Sequence, residues 1–239
     1  MPKQFIILCM SFTFFILSSN ELTAQLEETE FYYGFHAGAT YSSINEIQTS
    51  LIRPIFPTES FNAVHLRNLG FTAGASVYYR FKKSKFAIQP EIAYSDLGGR
   101  FYYEDIEDFN YTIDFTYNYL SIFPKVKYYL AGGLNLTVAP QLNLVINKSR
   151  LTYVSNQPDV GPDLQIQQSL RQVLKGNSIA SFSAGIGYDL PMGLYTHFSY
   201  ILGISDSIET LANGFYFIEN VNRVSAYKFT IGYHIPFYN

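Results

Sequence analysis

The chain has no Trp, a single Cys and, after residue 17, no apolar run long enough to cross a membrane as a helix. A helical crossing needs roughly 20 consecutive apolar residues, so the body of the chain offers no membrane helix. The one comparable run, Phe5 to Leu17, follows a lone basic residue, Lys3, and has the length of a secretion-signal core. Leu22-Thr23-Ala24 puts a small residue before Gln25, which predicts a signal peptide over 1–24 and a mature domain over 25–239. Cys9 leaves with that leader, and it sits inside the apolar run instead of at its end, where a lipid-attachment cysteine would stand. The mature chain then has neither disulfide nor thiol chemistry. Charge is also scarce: the net value of −3, with no basic patch interleaved with stacking aromatics, gives no reason to expect a nucleic-acid partner.

What the chain has in quantity is aromatic residues, 18% of the total, in a sequence whose mean hydropathy is only +0.03. The two values are compatible because apolar and polar residues alternate. Between Gly70 and Phe81, Phe71, Ala73, Ala75, Val77, Tyr79 and Phe81 fall on one face, and Gly70, Thr72, Gly74, Ser76, Tyr78 and Arg80 on the other. That is the period of a β-strand. The pattern recurs near 31–41, 85–96, 117–130, 133–147, 179–190, 193–205 and 223–237, with aromatics near the segment ends. Pro90, Pro124 and Pro140 fit least well, since each removes a ladder donor. The face opposite the oily residues holds Gly, Ser, Thr, Asn and charges, too polar for the dry core of a soluble sandwich or lipocalin-like barrel. The pattern predicts an all-β fold: an eight-stranded antiparallel transmembrane β-barrel with lipid outside and a polar lumen inside.

The connections fit this reading. Long ones near 42–69, 97–116, 148–178 and 206–222 alternate with tight ones at Lys82-Lys83-Ser84-Lys85, Ala131-Gly132-Gly133 and Pro191-Met192. In such barrels short turns face the periplasm and long loops the outside, so both termini fall on the periplasmic side. In the third long connection, Pro162-Asp163 followed by Leu164, Ile166, Leu170, Val173, Leu174 and then Gly176 predicts a capped amphipathic helix over the barrel mouth. The second long connection, acidic and aromatic from Tyr102 to Phe109, reads as a solvated hairpin extending past the membrane, with cation or protein binding as the other option.

Several segments resemble a known family. Glu91-Ile92-Ala93-Tyr94, Tyr119-Leu120-Ser121-Ile122-Phe123-Pro124, Ser183-Ala184-Gly185-Ile186-Gly187-Tyr188 and Tyr200-Ile201-Leu202-Gly203 follow one another in the order of the PorT-like outer-membrane β-barrels. Ser121-Ile122-Phe123 departs from that family's usual acidic-aliphatic run, and Tyr238-Asn239 does not end the chain on an aromatic. The resemblance implies a small barrel in the outer membrane of a Gram-negative cell. It also implies contact with outer-membrane lipid and possible contact with secretion or envelope proteins, but it assigns no activity.

Chemistry would have to reside in the lumen, among Arg80, Glu91, Lys125, Lys127, Asp189, His197 and Lys228. An eight-stranded barrel is just wide enough for side chains to fill it, so these residues read as a plug. Glu91 and Lys125 stand at similar heights on neighbouring strands and predict an ion pair, with Lys127 and Arg80 nearby. His36 and His234 meet at the seam between the first and last strands. Two imidazoles without a third ligand make a poor metal site, and a hydrogen-bonded seam pair is the simpler reading. His197 and Ser199, with Asp189 on the preceding strand, are the nearest approach to a hydrolase constellation, but they point into the lumen and away from lipid. The sequence reading is therefore a non-enzymatic barrel without cofactor, a structural or interaction component of the outer membrane, with a narrow pore or ligand-binding barrel, or a lipid-modifying enzyme, as the alternatives.

Overall fold

The computed structural model describes residues 31–45, 62–82, 84–104, 108–156, 163–210 and 222–236. The leader over 1–24, its cleavage point and Pro162 lie outside them. The elements in chain order are β1 (Phe31–Asn45), β2 (Asn62–Leu66), β3 (Asn68–Arg80), β4 (Phe86–Glu104), β5 (Asn110–Ala131), β6 (Leu134–Asn147) and β7 (Leu151–Ser155). They continue with α1 (Asp163–Val173), β8 (Leu174–Gly176), β9 (Ile179–Asp189), β10 (Leu194–Gly203), β11 (Ile208–Thr210) and β12 (Arg223–Pro236). Eight long strands close into an antiparallel ring, β1-β3-β4-β5-β6-β9-β10-β12 and back to β1. Among the described residues no helix is long and apolar enough to cross a membrane; that observation does not bear on strands.

The two faces of each strand separate as the alternation predicts. Phe35, Phe71, Ile92, Leu142, Phe182, Phe198 and Tyr233 all point outward and are exposed, forming the apolar outer surface of a membrane-spanning barrel. Two of the tight turns rest on glycine. Gly132 and Gly133 have φ of 54° and 88°, the two positive values of a type I′ hairpin, and Gly193 has φ of 89°.

The three awkward prolines share one outward-facing row. Pro90 lies opposite Pro124, and the β5–β6 register carries Pro140 across from Pro124. In that ladder no pairs bridge the interval between Ile122↔Leu142 and Val126↔Val138, and the β3–β4 ladder likewise skips from Ser76↔Glu91 to Tyr79↔Ile88. Grouping residues that cannot donate confines the lost ladder bonds to one patch of the wall.

Above the apolar belt the polarity inverts. Up to Ser95 the inward residues of β4 are mostly small or polar; beyond it they are Leu97 and Phe101, while Asp96 and Arg100 point out. Strand β5 mirrors the change: Tyr119, Tyr117, Phe115, Ile113 and Tyr111 point in and are buried. The expected long loop at 97–116 is therefore a β-hairpin, with only residues 105–109 between its strands. The β4–β5 connection is short, an exception to the strict alternation of loop lengths. Strand β2 pairs with β4 and β7 with β5 along this extension, and β8 with β11 continues the register of β9 with β10. Above the belt the ring continues as a sheet with a buried apolar core.

Helix α1 covers the free edge of β7 with side chains in place of a strand. Asp163 accepts the Ser155 amide at 3.0 Å and its hydroxyl at 2.8 Å, Gln167 Oε1 accepts the Tyr153 amide at 3.0 Å, and Arg171 Nε donates to the Leu151 carbonyl at 2.8 Å. Positions 163, 167 and 171 recur every four residues on one helix face, and an edge covered in this way cannot template another strand. Leu170 is buried in the upper core and Ile166 packs against it. Leu164, expected on that apolar face, is 64% exposed, and the helix stops at Val173 because Leu174 enters β8. Replacing Asp163, Gln167 and Arg171 together by Ala is expected to remove roughly 0.5–1.5 kcal/mol per lost bond. Hydrogen exchange would then show early loss of protection at the Tyr153 and Ser155 amides, with the barrel amides unchanged.

Candidate functional site

The barrel interior is filled in three tiers. Nearest the short turns, Lys127 Nζ lies 3.0 Å and 3.1 Å from the two Asp189 oxygens, and the Tyr129 hydroxyl donates to the same carboxylate. The Tyr78 and Tyr129 hydroxyls are 2.7 Å apart. Arg80 lies over the Tyr129 ring at 4.5 Å and donates to the Ser84 carbonyl. Lys127 also sits 5.3 Å from the Tyr78 ring centre and 5.2 Å from that of Tyr195, so its charge is met by one carboxylate and two π faces.

The middle tier holds the pair read from the sequence. Lys125 Nζ is 2.5 Å from Glu91 Oε1, which also accepts from Gln89 Nε2 at 2.8 Å; both members of the ion pair are buried. Lys228 lies 4.5 Å from the centre of the Phe123 ring, and among the described residues no carboxylate lies within the 4 Å of an ion pair. His197 shares a 2.7 Å hydrogen bond with Thr137 Oγ1, and Ser199 is buried on the same face. Asp189, drawn into the lower tier by Lys127 and Tyr129, makes no bond to that His. Arg80 is likewise a lower-tier residue and does not join Glu91 and Lys125.

The seam brings His36 and His234 into the lumen, since Gly34 faces His234 and His36 faces Gly232 across β1 and β12. The expected hydrogen-bonded pair does not form: among the described residues neither ring nitrogen of either His has a partner. His234 instead stacks on Tyr195 with centroids 4.3 Å apart and planes 22° apart. Gly232 makes room for this, because a Cβ there would stand 2.3 Å from Tyr195 Cζ. No group of three or more His, Cys, Asp or Glu that could hold a metal ion occurs among the described residues.

The upper tier is apolar. Tyr117, Tyr119, Leu97, Ile44, Ile179 and Val224 converge as one buried cluster that runs on into Phe101, Phe115 and Leu174 above the membrane. The Tyr117 ring rests on Gly176, where a Cβ would come within 2.7 Å of it. Further out, Tyr103 stacks on Tyr111 at 4.9 Å, and burial raises the pKa of the Tyr111 phenol, whose oxygen has no described partner. The lumen thus holds two ionic tiers and, above them, an aromatic cluster. The inward alternation contained Tyr78, Tyr117, Tyr119, Tyr129 and Tyr195 from the start; a reading confined to charged and His residues passes over them.

A closed antiparallel ring with an apolar outside and a polar, side-chain-filled inside defines the class of membrane-spanning β-barrels. The chain belongs to the family described as outer membrane protein beta-barrel domain, whose model matches residues 23–209. Among solved structures it is similar to Neisserial surface protein A, with 11% identity, coverage of 86% of this chain and 97% of that one, and a TM-score of 0.39. It is also similar to OprG from Pseudomonas aeruginosa (13%, 88% and 98%, 0.37) and to the attachment invasion locus protein Ail of Yersinia pestis (11%, 86% and 99%, 0.37). No curated protein matches the sequence.

Proposed function

We propose that the protein is a closed, non-conducting barrel of the outer membrane that acts as a structural or interaction component through the sheet and helix it carries above the bilayer. The observation that supports this reading is the double block of the lumen: the Glu91–Lys125 and Lys127–Asp189 pairs below and the Tyr117 cluster above. In this reading the leader over 1–24 is removed before Gln25, the short turns face the periplasm, and the β4–β5 hairpin with β2, β7 and α1 faces outward. The order of the PorT-like motifs favours proteins of secretion or envelope assembly as partners. Catalysis is not part of the proposal, because His197 and Ser199 are enclosed in the lumen and a lipid substrate would meet only the outer wall.

The purified chain in a planar bilayer is expected to give no steady unitary current, and in mild detergent from its own membrane it is expected to migrate above monomer mass with envelope proteins. A stable open level would refute the closed lumen. Migration alone at monomer mass would refute the partner.

A further inference from the structure

The outer wall has a defect in its aromatic surface. One register row across β10, β12, β1 and β3 reads Phe198, Phe229, Ala39, Phe71, and the next row toward the loop side reads Tyr200, Tyr227, Tyr41, Leu69. Ala39 is the small residue among rings, and a groove of about 390 Å³ opens there, lined by Ala39, Thr40, Tyr41, Leu69, Phe198, Tyr227 and Phe229; the Thr40 side chain is buried, its hydroxyl on the Asp96 carbonyl. The other lining side chains are apolar or aromatic and face the bilayer, so the groove suits a hydrocarbon chain and not a soluble solute.

Arg67 stands at the loop-side end of this groove, two residues beyond Leu69. Its guanidinium lies 4.8 Å from the centre of the Tyr227 ring and 5.8 Å from that of Tyr41, two walls of the groove. Nη1 donates to the Tyr41 and Ser225 carbonyls at 3.2 Å each, and Nη2 to Ser225 Oγ at 3.3 Å. These bonds fix the plane across the β1–β12 seam. They go to neutral acceptors, and among the described residues no carboxylate is within ion-pair distance. A guanidinium has five N–H donors, and here Nε–H donates to no described residue. A fixed cation with spare donors above an apolar slot of the bilayer-facing wall complements a lipid whose anionic oxygens sit directly over its acyl chains.

We infer that this groove and Arg67 form a binding site for one phosphorylated glycolipid of the outer leaflet, with an acyl chain against Ala39 and a headgroup phosphate on the guanidinium. The choice of leaflet rests on the orientation proposed above; the site itself does not, because binding in micelles is independent of orientation.

The test is native mass spectrometry of the full chain in micelles of an uncharged detergent, titrated with diphosphoryl lipid A, with dephosphorylated lipid A and phosphatidylcholine as comparison probes. One lipid A per chain is expected. Arg67→Gln, dephosphorylation and Ala39→Phe are each expected to weaken retention about tenfold or more, as the loss of a charge-assisted contact or of the slot requires, while Arg67→Lys, which keeps the charge but loses the planar fork, is expected to retain only part of it. Each variant is first shown to be folded by the migration of the unheated barrel on a gel. Retention unchanged in both Arg67→Gln and Ala39→Phe, or phosphatidylcholine held as tightly as lipid A, would overturn the site. A separate experiment, adding protease to intact cells and asking whether it reaches the β4–β5 hairpin, tests the orientation without touching the binding result.

Discussion

Replacing Lys125 by Met is expected to destabilise the barrel by about 3–5 kcal/mol, because it leaves the Glu91 carboxylate buried without its cation. Glu91 is 2% exposed. Its Oε1 would keep only Gln89, and its Oε2 has no described partner to begin with. The second cation of that tier compensates only in part, because Lys228 stands over Phe123 outside ion-pair distance of Glu91. Restoring neutrality with the double replacement Glu91→Gln and Lys125→Met is expected to recover most of the loss, since a buried ion pair contributes little beyond matched apolar or neutral packing. The absence of Trp makes far-ultraviolet circular dichroism a better readout of urea unfolding than intrinsic fluorescence. A double variant as unstable as Lys125→Met would mean that the deficit comes from lost packing, not from the stranded charge.

The positions of the ring strands were legible because their period of two is enforced by two solvents. Lipid requires an unbroken oily set outside, and the lumen tolerates almost anything small or polar inside, so register and facing follow from one list. The hairpin of β4 and β5 past the membrane was read from its acidic, aromatic tip, but the continuity of its strands with the ring and its apolar interior were not legible by the same rule. Beyond Ser95 and Asn118 the alternation continues, but the set that points inward turns apolar and the outward set turns polar, as at Asp96, Arg100 and Asp114. A reading that fixes the oily face as the lipid face takes this inversion for the end of the strand. The inversion was itself the signal, because it is what a sheet must do when its outer solvent changes from hydrocarbon to water.

The lumen was half legible for a related reason. Glu91 and Lys125 lie on adjacent strands at heights that can be counted from the turns, so their meeting could be read from the sequence. Lys127 and Asp189 lie on β5 and β9, with β6 between them in the ring, and no pairing of neighbours predicts a contact across the interior. What holds it is the reach of the Lys127 side chain to an Asp189 carboxylate that the Tyr129 hydroxyl also binds. The seam histidines illustrate the opposite error. Adjacency in the ladder placed them together, but Tyr195 lying over Gly232 offered His234 a ring to stack on, and the stack took the place of the hydrogen bond.

Tyr117→Ala is the second variant with a large expected effect, and it separates the plug from the ionic tiers. Tyr117 is fully buried among Tyr119, Leu97 and Leu174, and its hydroxyl lies 3.5 Å from the Leu174 carbonyl. Truncating a buried aromatic residue typically costs about 3–5 kcal/mol, because the transfer energy is lost and the cavity left behind relaxes only in part. Collapse is hindered here, since the surrounding side chains are fixed to a closed ring that cannot shrink. Unfolding by urea should register the full amount, yet bilayer recordings of the same variant should stay silent, because the Glu91–Lys125 and Lys127–Asp189 tiers still block the path. Steady current from Tyr117→Ala alone would show that the aromatic cluster is the sole gate and that the lower tiers are permeable. A loss of under about 1 kcal/mol, the usual range of a surface change, would mean that the upper core is not the dry, rigid plug its burial implies.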